Sequence, residues 1–178
     1  MARKGSMPKL APQPVPEPLW HISAYRLLDR RIWERIRSDV VAGANGSCAV
    51  CEVVRERGAV CHEVWRYSER RGIATLAELR LICGLCNLVE HIGFTSIRLP
   101  DKTEEALRHM ARVNGHDLKT TQVLVDRAFK SWSRRSKLRW KTDVSPSLLS
   151  RFPDLKTVAG RDGVPGAGAR RVRDAAGR

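Results

Sequence analysis

Two Cys-x-x-Cys pairs constrain what this chain can fold into more than any other feature of its 178 residues. Cys48 and Cys51 form the first pair, Cys83 and Cys86 form the second, and 31 residues separate the pairs. Two residues between cysteines let both thiolates of one tight turn reach the same ion, and two such turns complete a tetrahedral sulfur site. An all-sulfur tetrahedron favours zinc or an iron–sulfur centre. We expect a structural zinc ion, since four protein ligands leave no position for a water molecule.

The cysteine count also bears on the compartment. Five cysteines occur in a chain whose N-terminal segment is proline-rich and lacks the apolar stretch of a secretory signal. In a reducing compartment, paired Cys-x-x-Cys motifs are more often metal ligands than disulfides. No apolar run approaches the roughly 18 residues needed to cross a bilayer. The sequence therefore predicts a cytoplasmic protein without a membrane partner.

The charge balance points to a polyanionic partner. Thirty-three Lys and Arg residues face nineteen Asp and Glu residues, a formal net charge of +14. Nucleic acid is the first candidate for such a chain, DNA ahead of RNA, and an anionic membrane surface is the second. One segment without acidic residues concentrates the positive charge in six side chains: Lys130, Arg134, Arg135, Lys137, Arg139 and Lys141. We predict that these contact phosphates; the alternative is a solvated helix face.

The composition predicts one domain with two tails. Residues 1–19 are rich in proline and are expected to form a flexible arm, and residues 20–145 a zinc-stapled domain. Residues 146–178 are basic and rich in Gly, Ala and Arg, which is typical of a disordered tail. Either end is a candidate to fold on a protein partner.

Apolar periodicity predicts the secondary structure before the second cysteine pair. A helix is expected from about Ser23 to Val41, with one apolar stripe at Tyr25, Leu28, Ile32, Ile36 and Val40. Strand structure is expected over residues 59–67, after a turn at 56–58, and residues 75–82 lead to the second cysteine pair.

Helices are expected after that point. One runs from the second cysteine pair to about Gly93, and another begins at an Asp101 cap and ends at Asn114-Gly115. The second has an apolar stripe at Ala106, Leu107, Met110 and Val113. The last helix begins at an Asp117 cap and extends to about Thr142.

A histidine-bearing segment, Cys61-His62-Glu63-Val64-Trp65, lies between the cysteine pairs. It is followed by Leu81-Ile82-Cys83-x-x-Cys86-Asn87 and then by Glu90-His91-Ile92-Gly93. In these segments, and over about residues 18–145, the chain resembles the zinc-containing branch of the HNH, or His-Me finger, endonucleases. The resemblance implies an α+β, mostly helical fold: a treble-clef-like zinc domain with a ββα-metal core and flanking helices.

The resemblance also implies an activity and its residues. His62 matches the general base that activates water, and Asn87 matches the last motif residue, which contacts a catalytic Mg²⁺ or Mn²⁺ ion. Cys61 stands where the family has Asp or His as a metal ligand, and Glu63 shares its strand face. His91 lies one helical turn beyond Asn87. We therefore expect Cys61, Glu63 and His91 as further metal or phosphate contacts, and a hydrolase acting on DNA.

Two other functions fit the same sequence. One is a zinc-dependent nucleic-acid-binding protein with a degenerate HNH site, in which His62 is a hydrogen-bonded hairpin residue and Cys61 a small buried one. The other is an adaptor within a larger complex.

Overall fold

Helices supply most of the regular structure in residues 7–54 and 58–166, the part of the chain that the computed structural model describes. The helices are α1 Ala24–Leu27, α2 Arg30–Gly43, α3 Gly84–Glu90, α4 Ile92–Arg98, α5 Thr103–Asn114, α6 Leu118–Arg135 and α7 Pro146–Arg151. The strands are β1 Val60–Ser68, β2 Ile73–Ile82, β3 Trp140–Val144 and β4 Asp162–Gly163. The predicted α+β class is confirmed at this level.

The described residues divide into two compact units, where we predicted one domain over residues 20–145. The first unit comprises the chain up to Pro14 together with Gly46–Val60 and Ile82–Lys130. The second comprises Val15–Asn45, Cys61–Leu81 and the chain from Ser131 onward. Each unit is discontinuous in sequence, which is why composition along the chain did not reveal the division.

The first unit is built on an apolar core that includes the buried cysteines. Val89 of α3, Met110 of α5 and Val125 of α6 meet there. Leu10 is 1% exposed in the same core, and its N–H and C=O bond to the Asn114 side chain at 3.1 and 2.7 Å. Leu10 is therefore packed, although it lies in the segment we predicted to be a flexible arm; residues 1–6 lie outside the described part.

The second unit contains the sheet, whose strands follow the order β1-β2-β3-β4. The four-residue connection between β1 and β2 permits only an antiparallel hairpin. β2 runs parallel to β3, with Ile73 opposite Lys141 and Leu76 opposite Val144. Alternation along β3 buries Trp140, Thr142 and Val144 and exposes the residues between them.

The segment after residue 145 is folded as far as the structure describes it. Leu148, Phe152, Leu155 and Val158 are buried in the core of the second unit, with α1 and α2. The predicted disordered tail 146–178 is thus wrong up to residue 166, because its apolar residues recur at helical spacing. Residues 167–178 lie outside the described part.

The predicted first helix is interrupted. Ser23 caps α1 by accepting the Arg26 N–H, as its position suggested, but Leu28 is extended. Asp29 then begins α2 by accepting the Arg31 N–H at 2.8 Å. Tyr25, the first residue of the predicted apolar stripe, is not buried, since it is 68% exposed. The cap at Asp29 thus begins a new helix, although the apolar periodicity predicted one continuous helix.

Two predictions about later helices also differ from the structure. The helix expected to reach Gly93 divides at His91 into α3 and α4. Asp101 lies in a short 3-10 helix and does not cap α5, which begins after Lys102. Gly115 ends α5 in the left-handed conformation, and Asp117 accepts the Thr120 N–H at 2.6 Å at the start of α6, as predicted.

No helix in the described residues is both long and apolar enough to cross a membrane.

Candidate metal centre and motif residues

Cys48, Cys51, Cys83 and Cys86 converge in the first unit. Their sulfur atoms all lie within 4.8 Å of one another. The Sγ atoms of Cys48 and Cys86 are 3.7 Å apart, and those of Cys51 and Cys83 are 3.6 Å apart. Sulfur atoms at the corners of a tetrahedron with zinc–sulfur bonds of about 2.3 Å are separated by about 3.8 Å. These thiols are too far apart for disulfides, and they could hold a metal ion such as zinc.

The first cysteine pair lies in a tight hairpin. Ser47 and Val54 form an antiparallel bridge, and the Cys48 N–H donates to the Val53 carbonyl at 3.0 Å. Glu52 closes the turn with a φ of 62°, a left-handed conformation that is uncommon for a residue other than glycine. The hairpin thus aims both thiols of the pair to one side.

The second pair lies at the start of α3. Cys83 is the N-cap residue, and its sulfur accepts the Cys86 N–H at 3.5 Å. Because Cys86 lies in the first turn of the helix, its sulfur lies close to the sulfur of Cys83.

The burial and close approach of the four thiols change their pKa values. Burial raises the pKa of the Cys86 thiol, and the charges of Cys48 and Cys83 raise it further. Burial also raises the pKa of Cys51. At Cys48 burial is outweighed by hydrogen bonds, mainly from the backbone of Cys51 and Cys83, which lower the pKa to about 7. Ionisation of all four thiols at these distances would need a compensating cation.

His109 of α5 is a neighbour of the cluster that sequence reasoning missed. Its Nε2 lies 3.2 Å from the Cys86 sulfur, and the residue is 7% exposed. One indication of this contact was present in the sequence: His109 lies in the apolar stripe of α5, between Ala106 and Met110, where a buried polar side chain needs a partner.

A cavity of about 400 Å³ adjoins the cluster. Cys51, Cys83 and His109 line it, together with the cationic side chains of Lys9 and Arg112. Cys51 is the one cluster cysteine that is not fully buried, so this cavity gives access to the sulfur atoms.

The structure places Cys61 and Glu63, two of the expected metal or phosphate contacts, inside the second unit. Cys61 is buried in the apolar core of the second unit, and burial, followed by the charge of Glu63, raises its pKa to about 11. The Glu63 carboxylate accepts the backbone N–H groups of Ala24 and Tyr25 at 2.8 and 3.4 Å, and the Trp65 indole N–H at 3.1 Å. It therefore caps the start of α1.

The two residues matched to catalysis lie in different units. His62 lies in β1 of the second unit, where strand alternation places it on the opposite face from Cys61 and Glu63, and it is 6% exposed. Asn87 lies in α3 of the first unit and is half-buried. His91, also half-buried, occupies the junction between α3 and α4 and has an interaction partner.

The six basic residues do not share one helix face. Lys130 is exposed on α6 in the first unit; the others belong to the second. α6 ends at Arg135, Lys137 and Arg139 lie in the connection, and Lys141 is exposed on β3. Arg134 and Arg135 bond to Glu69, an acid from the turn between β1 and β2 that the sequence did not associate with them.

Comparison of the chain with protein-family models, curated proteins and solved structures gave no match.

Proposed function

We propose that this chain is an HNH-type endonuclease that hydrolyses phosphodiester bonds in DNA with a structural zinc ion and a separate catalytic divalent cation. One observation supports the proposal above the others: the order of elements around the motif. A cysteine hairpin precedes β1, β1 and β2 follow one another, and α3 begins at the second cysteine pair. The proposal assigns His62 of the first strand and Asn87 of the helix to the two motif positions of a treble-clef-like ββα-metal fold.

The four-cysteine site has a structural role in this proposal. Four thiolate ligands leave zinc no open position, so this ion holds the first unit together and does not activate water. Its contribution to folding is on the order of 10 kcal/mol. Replacement of Cys83 by Ser is expected to unfold the first unit; a folded, zinc-free C83S protein would contradict this role.

His62 acts in the proposal as the general base. An imidazole nitrogen can take a proton from the attacking water. When bound, Mg²⁺ or Mn²⁺ would polarise the scissile phosphate and stabilise charge on the leaving oxygen. The Asn87 amide oxygen is a hard donor of the kind that Mg²⁺ prefers. Cys61 and Glu63 already have contacts inside the fold, Cys61 in the apolar core and Glu63 at the start of α1.

Plasmid nicking tests the proposal directly. The natural chain should nick DNA only when Mg²⁺ or Mn²⁺ is present, and His62→Ala should lower the rate about 10²- to 10⁴-fold. Asn87→Ala should raise the metal concentration needed. His116→Ala, which changes an exposed histidine, is the matched control and should nick normally. Metal-dependent nicking that persists in His62→Ala, with zinc content and circular dichroism unchanged, would exclude His62 as the base.

A second candidate function is nucleic-acid binding without hydrolysis. The nearly complete burial of His62 and the use of Cys61 and Glu63 inside the fold favour it. The net charge of +14 supports binding to nucleic acid whether or not the protein hydrolyses it. Binding without nicking under every divalent metal would identify this function.

The basic segment offers a separate test of binding. The triple variant of Lys137, Arg139 and Lys141 to Ala should weaken binding about equally for all DNA sequences and make the salt dependence shallower. Glu69→Gln is the opposite change, since it removes the acid that neutralises Arg134 and Arg135, and it should tighten binding. An affinity that is flat between about 50 and 200 mM salt would contradict phosphate contacts.

A further inference from the structure

We propose that His109 is a positioning residue of the metal centre, and that its Nε2–H donates a hydrogen bond to the Cys86 thiolate. The two atoms are 3.2 Å apart, within the range of a hydrogen bond to sulfur, and the residues are 7% and 0% exposed. The inference rests on a metal ion being bound by the four cysteines.

The chemistry of a metal-bound thiolate fixes the direction of this hydrogen bond. A ligating sulfur has no proton, so the imidazole must be the donor and its Nε2 must bear the hydrogen. The tautomer of His109 is therefore set by the metal centre.

The charge of the centre explains why a donor belongs at this place. Four thiolates bring more negative charge than one divalent cation removes, and the excess is buried. Cys86 is the most enclosed of the four cysteines, so water cannot stabilise its charge. A hydrogen bond to an ionised acceptor is about twice as strong as a neutral one, and His109 can supply it without opening the core.

The position of His109 on α5 also supports this role. The residue lies in the apolar stripe of α5, beside Ala106 and Met110, and α5 packs on α3, the helix that contains Cys86. An apolar residue would fill this place at lower desolvation cost. A histidine here is explained by the thiolate that it faces.

Zinc competition with a chromophoric chelator tests the inference on the full chain. His109→Leu, which removes the donor, should lower zinc affinity about 10- to 100-fold, the usual effect of losing an outer-shell partner of a metal ligand. His109→Gln retains an N–H donor and should stay within about threefold of the natural chain. His116→Leu changes the exposed histidine just after α5 and should leave the affinity unchanged. His109→Leu with natural affinity would overturn the inference.

A second measurement avoids variants altogether, in case His109→Leu does not fold. In the natural chain loaded with ¹¹³Cd, nitrogen NMR should show a protonated Nε2 at His109, slow exchange of that proton, and scalar coupling to the metal through the Cys86 sulfur. An unprotonated Nε2 would overturn the inference, as would a Co²⁺ spectrum showing nitrogen ligation that His109→Gln abolishes. A natural chain that binds no metal refutes the centre itself, a separate failure that elemental analysis reveals first.

Discussion

Glu69 bonds to the Arg134 guanidinium through both carboxylate oxygens, at 2.6 and 2.8 Å. It also accepts the Arg135 Nε–H at 2.9 Å. Hydrogen bonds from Arg134 and then Arg135 lower the pKa of Glu69 to about 2. One acid from the turn between β1 and β2 thus compensates two of the six basic residues in a segment that lacks any acid of its own.

Glu69→Gln should lower the stability of the protein at pH 7 by about 0.5–1 kcal/mol, because an exposed ion pair contributes little even when bidentate. The sign of the pH dependence follows from the direction of the pKa shift. The folded-state pKa of Glu69 lies below its ordinary value, so the contribution is complete above about pH 4.5 and is lost as the pH falls toward about 2. Urea unfolding of both proteins between pH 7 and pH 3 measures the difference.

Exposed Glu78 on β2 provides the control for this experiment. Glu78→Gln should leave stability unchanged at every pH, which separates the ion pair from general charge effects. A Glu69→Gln difference that is already lost at pH 4.5 would show that Arg134 and Arg135 do not hold the carboxylate in solution.

Glu63 gives a prediction that separates a structural role from a catalytic one. Its carboxylate accepts the Ala24 and Trp65 N–H groups at 2.8 and 3.1 Å. Glu63→Ala should therefore cost about 1–2 kcal/mol in thermal or urea unfolding, the usual loss for a helix cap. Normal stability combined with lost metal-dependent nicking would instead restore Glu63 as a metal ligand. Glu78→Ala serves as the control on the neighbouring strand.

Local sequence patterns predicted several features of this structure. The cysteine spacing predicted the four-sulfur cluster, because ligand geometry depends on only two turns. The Val- and Trp-containing segment predicted β1, and Gly115 and Asp117 marked helix ends through backbone conformation and capping. These features depend on a few adjacent residues, so the sequence is sufficient to reveal them.

Features that depend on contacts between residues far apart in the sequence could not be predicted from local patterns. Leu10 joins the core of the first unit through Asn114, and Glu63 caps a helix that lies 39 residues earlier. Cys61 and Glu63 share a strand face, but only the structure reveals that this face packs in the core of the second unit. The hydrogen bond of His109 to Cys86 likewise spans 23 residues and has no local signature beyond a polar residue in an apolar stripe.

Cysteine alkylation should distinguish the core thiol from the cluster thiols. With burial raising the pKa of Cys61 to about 11, its thiolate fraction at pH 8 is about 100-fold lower than that of a free thiol, and burial slows it further. Iodoacetamide with a chelator present should modify the four cluster cysteines early, because removal of the ion is expected to unfold the first unit. Cys61 should react last. Mass spectrometry of timed samples measures the order, and guanidinium-denatured protein, in which all five cysteines react, is the control. Rapid labelling of Cys61 would contradict its place in the core.

The last prediction concerns the segment after residue 145, whose composition suggested disorder. Leu155 is 0% exposed and packs in the core of the second unit with Val158. Leu155→Ala removes buried methyl groups and leaves a cavity, so it should cost about 2–5 kcal/mol in urea unfolding. Val164→Ala, at a position that is 37% exposed, should cost less than about 1 kcal/mol. Equal stability of the two variants would mean that residues 146–166 do not pack in solution. A large difference would mean that truncation at residue 145, which the sequence suggests as a domain boundary, unfolds the second unit instead of trimming a tail.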